Sequence, residues 1–140
     1  MSYKFDKCIE NRGLVKEDIA DDMILKEIDA AEHDLSRAKE TLEQGDSKWA
    51  TIQGYYSMFH SARALIFSKG YRERSHYCLR IAVKELFVFT NELKSEFIDF
   101  LEDAKSLREQ ADYGLSYYPS GAKETIDNAS RFLEKAKELT

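Results

Sequence analysis

A chain of 140 residues with 34% charged side chains, six glycines and one proline has the composition of a single helical domain, long enough to bury about two thirds of its unfolded surface. Its formal net charge of -5 excludes nucleic-acid binding by bulk charge, so any such binding needs a local basic patch. No apolar run reaches the roughly 18 residues of a membrane span, Cys8 and Cys78 lack metal-type spacing, and no signal-peptide pattern is visible. The expectation is a cytoplasmic protein with two free thiols and no membrane contact.

In chain order, Phe5, Cys8 and Ile9 predict an opening helix of one or two turns, stopped by Gly13. From Val15 onward, Ile19, Met23, Ile28, Ala31, Leu35, Ala38 and Leu42 recur mainly three and four apart. That is one stripe of a long outer helix, ended by Gly45, with Asp46 or Ser47 capping its successor. Between Trp49 and Lys69, the residues Trp49, Ile52, Tyr55, Tyr56, Met58, Phe59, Ala62, Leu65, Ile66 and Phe67 leave no wholly polar face. A helix apolar all round belongs in the middle of a bundle. Gly70 to Ser75 reads as a short loop, with Ser75 capping a third helix that carries Leu79, Val83, Leu86 and Phe87 until Asn91 breaks the pattern. A fourth helix from about Ser95 places Phe97, Phe100, Ala104, Leu107 and Ala111 in a seam spaced three, four, three, four. Gly114, Pro119 and Gly121 then turn the chain into a last helix from about Ser120 or Ala122, with Ile126, Ala129, Phe132, Leu133, Ala136 and Leu139 inward. The fold class is all-α: an antiparallel up-and-down bundle of four to five helices, with residues 1–140 forming one domain.

Polar residues on the central helix are the first candidates for function. Tyr56, His60 and Arg63 share a face, four and three residues apart. They form either a buried network that fixes the helix register or a pocket for a nucleotide, with the guanidinium on phosphate and the ring stacked on a base. Gly54, Ser57 and Ser61 make a small-residue ridge that lets another helix approach. Arg72, Arg74 and His76 open the third helix, where they suit an anion; the alternative is solvated arginines with His76 packed under the loop. Arg108 has Asp112 four residues on, a pairing across one turn. The one Glu-x-x-His match, Glu73 to His76, lies at a helix start, so no metal is expected, and without a glycine-rich phosphate loop no cofactor either.

The run Gly54-Tyr55-Tyr56-Ser57-Met58-Phe59-His60-Ser61-Ala62-Arg63-Ala64-Leu65 resembles the YYAMFHAARALL signature of HEPN domains. The resemblance continues through Gly13-Leu14-Val15, Lys69-Gly70, Ser75-His76, Glu85-Leu86-Phe87 and Arg108-Glu109-Gln110-Ala111-Asp112-Tyr113. It is to the small stand-alone prokaryotic branch, similar to the helical domain of kanamycin nucleotidyltransferase. It implies a helical bundle, often a homodimer, partnered by a minimal nucleotidyltransferase in a toxin-antitoxin-like pair, with a nucleotide or RNA as ligand. Ribonuclease members carry an arginine, a short spacer and a histidine near the end of the helix that corresponds to the fourth here. Arg108 matches that arginine, but Tyr113 stands five residues later, and Gly114 and Leu115 follow. Tyrosine, with a pKa near 10, is a poor general acid or base at neutral pH. The resemblance therefore implies a binding module with a degenerate catalytic pair, Arg108 and Tyr113; the alternative is an active metal-independent ribonuclease toxin. Related pairs are regulated by nucleotidylation of a tyrosine two residues beyond the motif histidine. Leu115 holds that position, with Tyr113, Tyr117 and Tyr118 nearby.

Overall fold

The structure, a computed structural model, describes residues 1–114 and 117–140. The elements run α1 (Tyr3–Glu10), β1 (Leu14–Lys16), α2 (Asp21–Glu43), α3 (Ser47–Ser68), β2 (Tyr71–Glu73), α4 (His76–Val83), a π-helical turn (Lys84–Val88), α5 (Glu96–Asp112) and α6 (Pro119–Leu139). The all-α bundle is there, with six helices among the described residues rather than four or five.

Helix α3 is the axis, packed against α2, α4, α5 and α6. Its ends are set locally: the Asp46 carboxylate accepts the Trp49 amide at 3.2 Å, and Gly70 takes φ +82 just past the C-terminus. The small residues along it permit close approach on two sides. A Cβ on Gly54 would lie 3.0 Å from Thr125 Cγ2 on α6, while Ser57 Oγ donates to the Ala31 carbonyl of α2 at 2.8 Å. The ring is not closed, however. Trp49 and Tyr56 are exposed, Tyr56 at 39%.

Four other expectations need correction. Val15 does not begin a helix: residues 14–16 pair antiparallel with 71–73, in the register Leu14 to Glu73, Val15 to Arg72 and Lys16 to Tyr71, so the predicted loop after Gly70 holds a strand too. Strands this short carry no periodic signal. At the end of α1 it is Arg12, not Gly13, that takes the left-handed conformation, at φ 61. Gly13 is required for space instead, since a Cβ there would sit 2.6 Å from Cys78 Sγ. The last helix starts at Pro119, whose missing amide hydrogen is harmless in a first turn. Finally, Cys8 and Cys78 are joined by a disulfide with Cα atoms 5.8 Å apart, which overturns the expectation of free thiols. Spacing along the chain could not reveal that α1 docks on α4. The pairing also removes the thiols as an argument for a reducing compartment. Among the described residues, no helix is long and apolar enough to cross a membrane.

The core gives a stability prediction. Phe132 on α6 is fully buried, edge-on to Phe97 at 5.5 Å, whereas Phe59 on α3 is only partly covered. Phe132→Ala is expected to cost about 3 to 5 kcal/mol in urea unfolding, and Phe59→Ala clearly less. The reverse order would contradict this packing.

Candidate functional site

Arg108 lies on α5 where that helix crosses the middle of α3. Its guanidinium carbon stands 5.0 Å from the Tyr55 ring centroid and 5.9 Å from that of Tyr56, and Nη1 donates to Asp112 Oδ2 at 2.9 Å. Its Nε is buried without a hydrogen-bond partner. Desolvation works against the charge, but the Asp112 hydrogen bond and the two tyrosines outweigh it and hold the Arg108 pKa above its ordinary value. Tyr113, at the C-cap of α5, is 76% exposed.

Behind Arg108 runs a polar chain. The Tyr55 hydroxyl meets His76 Nδ1 at 3.1 Å, His76 Nε2 meets Glu102 Oε1 at 3.0 Å, and Arg80 Nε donates to the same oxygen at 3.2 Å. A carboxylate only accepts, so Nε2 carries the proton, and Nδ1 of the neutral ring accepts from Tyr55. Burial pushes the Tyr55 pKa up to about 12, against the opposing charge of Arg108. Burial also lowers the His76 pKa, opposed by Glu102. With the folded pKa below the ordinary 6.5, the unfolded chain takes up a proton first as pH falls. His76 therefore adds stability that is complete above that value and lost below it, down to the folded pKa. His76→Gln is expected to flatten the loss of urea stability as pH falls below the ordinary imidazole value of about 6.5. An unchanged slope would remove His76 as its source.

The other predicted face divides. Tyr56 turns to Arg108, while His60 and Arg63 join an acidic cluster between α2 and β2. His60 Nδ1 meets Glu27 Oε2 at 2.6 Å and Nε2 lies 3.6 Å from Asp34. Arg63 bridges Glu27 at 3.0 Å and Glu73 at 3.1 Å, with its guanidinium 4.9 Å from the Phe67 centroid. Desolvation raises the pKa values of Asp34 and Glu73, opposed by His60 and Arg63 respectively. A phosphate at Arg63 would have to displace two carboxylates. Arg74 is exposed, its backbone amide bonded to the Gly13 carbonyl at 2.8 Å, and Arg72 pairs with Glu17 at 3.4 Å. Sequence reasoning missed Tyr55, Glu27, Glu73 and Glu102. Tyr55 reads as core by its spacing, and the carboxylates reach their partners only through tertiary contact.

A family model described as HEPN domain matches residues 25–140, most of the chain. The chain belongs to the HEPN family. Two proteins of Methanocaldococcus jannaschii, each provisionally named a toxin, are similar to this HEPN chain. One is 30% identical over 115 residues, covering 80% of this chain and 78% of its own. The other is 28% identical over 127 residues, covering 90% and 94%. In fold, the HEPN bundle resembles the crystal structure of a protein from Thermus thermophilus, with a TM-score of 0.71 at 16% identity over 84% of this chain and 98% of that one.

The HEPN match takes in α3 with Tyr55, Tyr56, His60 and Arg63, α4 with His76, and α5 with Arg108, Asp112 and Tyr113. Helix α1, with Cys8, and strand β1 precede it. Leu115 lies outside the described residues.

Proposed function

We propose that this HEPN domain is a binding module, the partner of a minimal nucleotidyltransferase in a toxin-antitoxin-like pair, self-associating and without strong catalysis of its own. The observation that carries the reading is the state of the motif pair. Arg108 is held by Asp112 and two tyrosine rings, and the residue five positions on is a solvent-exposed tyrosine with no imidazole. The ligand in this reading is a nucleotide or short RNA: Tyr56 offers a ring face for a base beside the Arg108 charge, with Asp112 the group exchanged when phosphate arrives. Arg74, exposed two residues ahead of His76 at the start of α4, supplies a further cation. The toxin names of the two relatives support the paired-system part.

A ribonuclease reading has one observation in its favour, that His76 reaches the Arg108 stack through Tyr55. Against it, both His76 ring nitrogens are already engaged, so proton exchange with a substrate would break the Tyr55 or the Glu102 contact. The test is single-stranded RNA in EDTA at neutral pH. Wild type is expected to cleave no faster than Arg108→Ala, and to bind the RNA more tightly than that variant does. Robust cleavage that vanishes in Arg108→Ala makes the ribonuclease reading correct.

A further inference from the structure

We propose that Glu102 is a positioning residue for the ligand site around Arg108: by accepting the Nε2 proton of His76, it turns the Tyr55 hydroxyl so that its oxygen rather than its hydrogen faces the guanidinium. This deepens the binding reading above and rests on it.

The relay is a closed loop over three helices. It leaves α5 at Glu102, crosses to His76 on α4 and Tyr55 on α3, and returns to α5 at Arg108. Its inner members are covered, Tyr55 at 3% and the His76 side chain at 13%, while the Glu102 side chain is 45% exposed. Arg80 Nε donates at 3.2 Å to the same Glu102 oxygen that His76 meets, which fixes the carboxylate in place.

A neutral imidazole has one donor nitrogen and one acceptor. Glu102 only accepts, so it selects the ring form with the proton on Nε2 and leaves Nδ1 to accept. The Tyr55 hydroxyl, 3.1 Å from Nδ1, then places its hydrogen there and keeps its lone pairs for Arg108. Arg108 has only protons to offer and acts on Tyr55 through its charge, so the donors along the relay run one way, from Arg108 to Glu102. Without the acceptor at its outer end, the ring is free to carry its proton on Nδ1. The Tyr55 hydrogen then has to turn away from His76, and the cation loses the oxygen it rests beside. That loss falls on the loaded state. In the proposed exchange of Asp112 for phosphate, the two tyrosines are what still hold Arg108.

Charge alone predicts the opposite. Glu102 is a carboxylate near a site for a polyanion, and its removal should tighten binding if it acts only through its charge. Glu102→Gln and Glu102→Leu remove the same charge, but only glutamine can accept from His76, and Arg80, a donor, keeps the amide oxygen where the carboxylate was.

Fluorescence anisotropy of a short labelled oligouridylate, at a pH above the imidazole range, tests the role, with circular dichroism as the control for folding. Glu102→Leu should bind about fivefold more weakly than Glu102→Gln, the worth of one hydrogen bond. In a Tyr55→Phe background, which keeps the ring and removes the hydroxyl, the two substitutions should bind alike. Imidazole nitrogen-15 spectra should show the proton on Nε2 of His76 in wild type and in Glu102→Gln, and mixed forms in Glu102→Leu. Leucine and glutamine variants that bind equally, or that differ as much with Tyr55→Phe as without it, overturn the positioning role while the binding reading stands. If Arg108→Ala binds the RNA as tightly as wild type, the binding reading itself falls, and this role with it.

Discussion

The Cys8→Ala/Cys78→Ala protein should unfold with roughly 4 kcal/mol less stability than oxidised wild type. The two cysteines are 70 positions apart, and closing a loop of that length removes chain entropy from the unfolded state, worth roughly 4 kcal/mol in the loop-entropy account. Alanine is the right replacement because both sites are buried, where a serine hydroxyl would add a desolvation cost of its own. Urea unfolding with and without reductant checks it, and reduced wild type should fall close to the double variant. A difference under about 1 kcal/mol would mean that the bond contributes little, or that the unfolded chain is already compact around it.

Tyr113→His should raise metal-independent RNA cleavage on the order of 100-fold or more, the usual contribution of a placed general acid or base. The substitution suits the site. Tyr113 has φ -83 and ψ 0 at the end of α5, five residues after Arg108, and its ring is exposed, so exchanging it disturbs no core packing. An imidazole there would titrate near 6.5, where tyrosine stays protonated. The control is Tyr113→His/Arg108→Ala, which should return to the wild-type baseline. No increase with Tyr113→His would mean that the site lacks more than its base.

What could be read from the sequence was what repeats locally. The stripe from Ile28 to Ala38 packs inward on α2, the Asp46 and Ser75 caps form, Asn91 turns at φ 65, and Arg108 meets Asp112 one helical turn on. All of these depend on residues within a few positions of each other. The relations that define the candidate site span the chain instead. Arg63 bridges Glu27 and Glu73, and His76 joins Tyr55 to Glu102, through pairings that no helical period announces. The sequence correctly puts Tyr56, His60 and Arg63 on one face, but a face of a helix can look toward two neighbours. Here Tyr56 looks to α5, and the other two look to α2 and β2.

Residues 1–24 lie ahead of the family match, yet they are tied to it by the Cys8–Cys78 bond, the ladder of Leu14–Lys16 on Tyr71–Glu73, and the Ser2 amide on Glu85. The covalent ring so closed contains the whole of α2 and α3. Domain swapping, the cheap route to dimers in which copies trade an identical element, needs that element to leave on an open hinge. The α2–α3 hairpin has no such freedom while the ring is shut, because both its ends return to the same point. Oxidation therefore bars α2 and α3 from being traded between two copies, whereas α5 and α6 lie beyond Cys78 and outside the ring; reduction is what would free the hairpin.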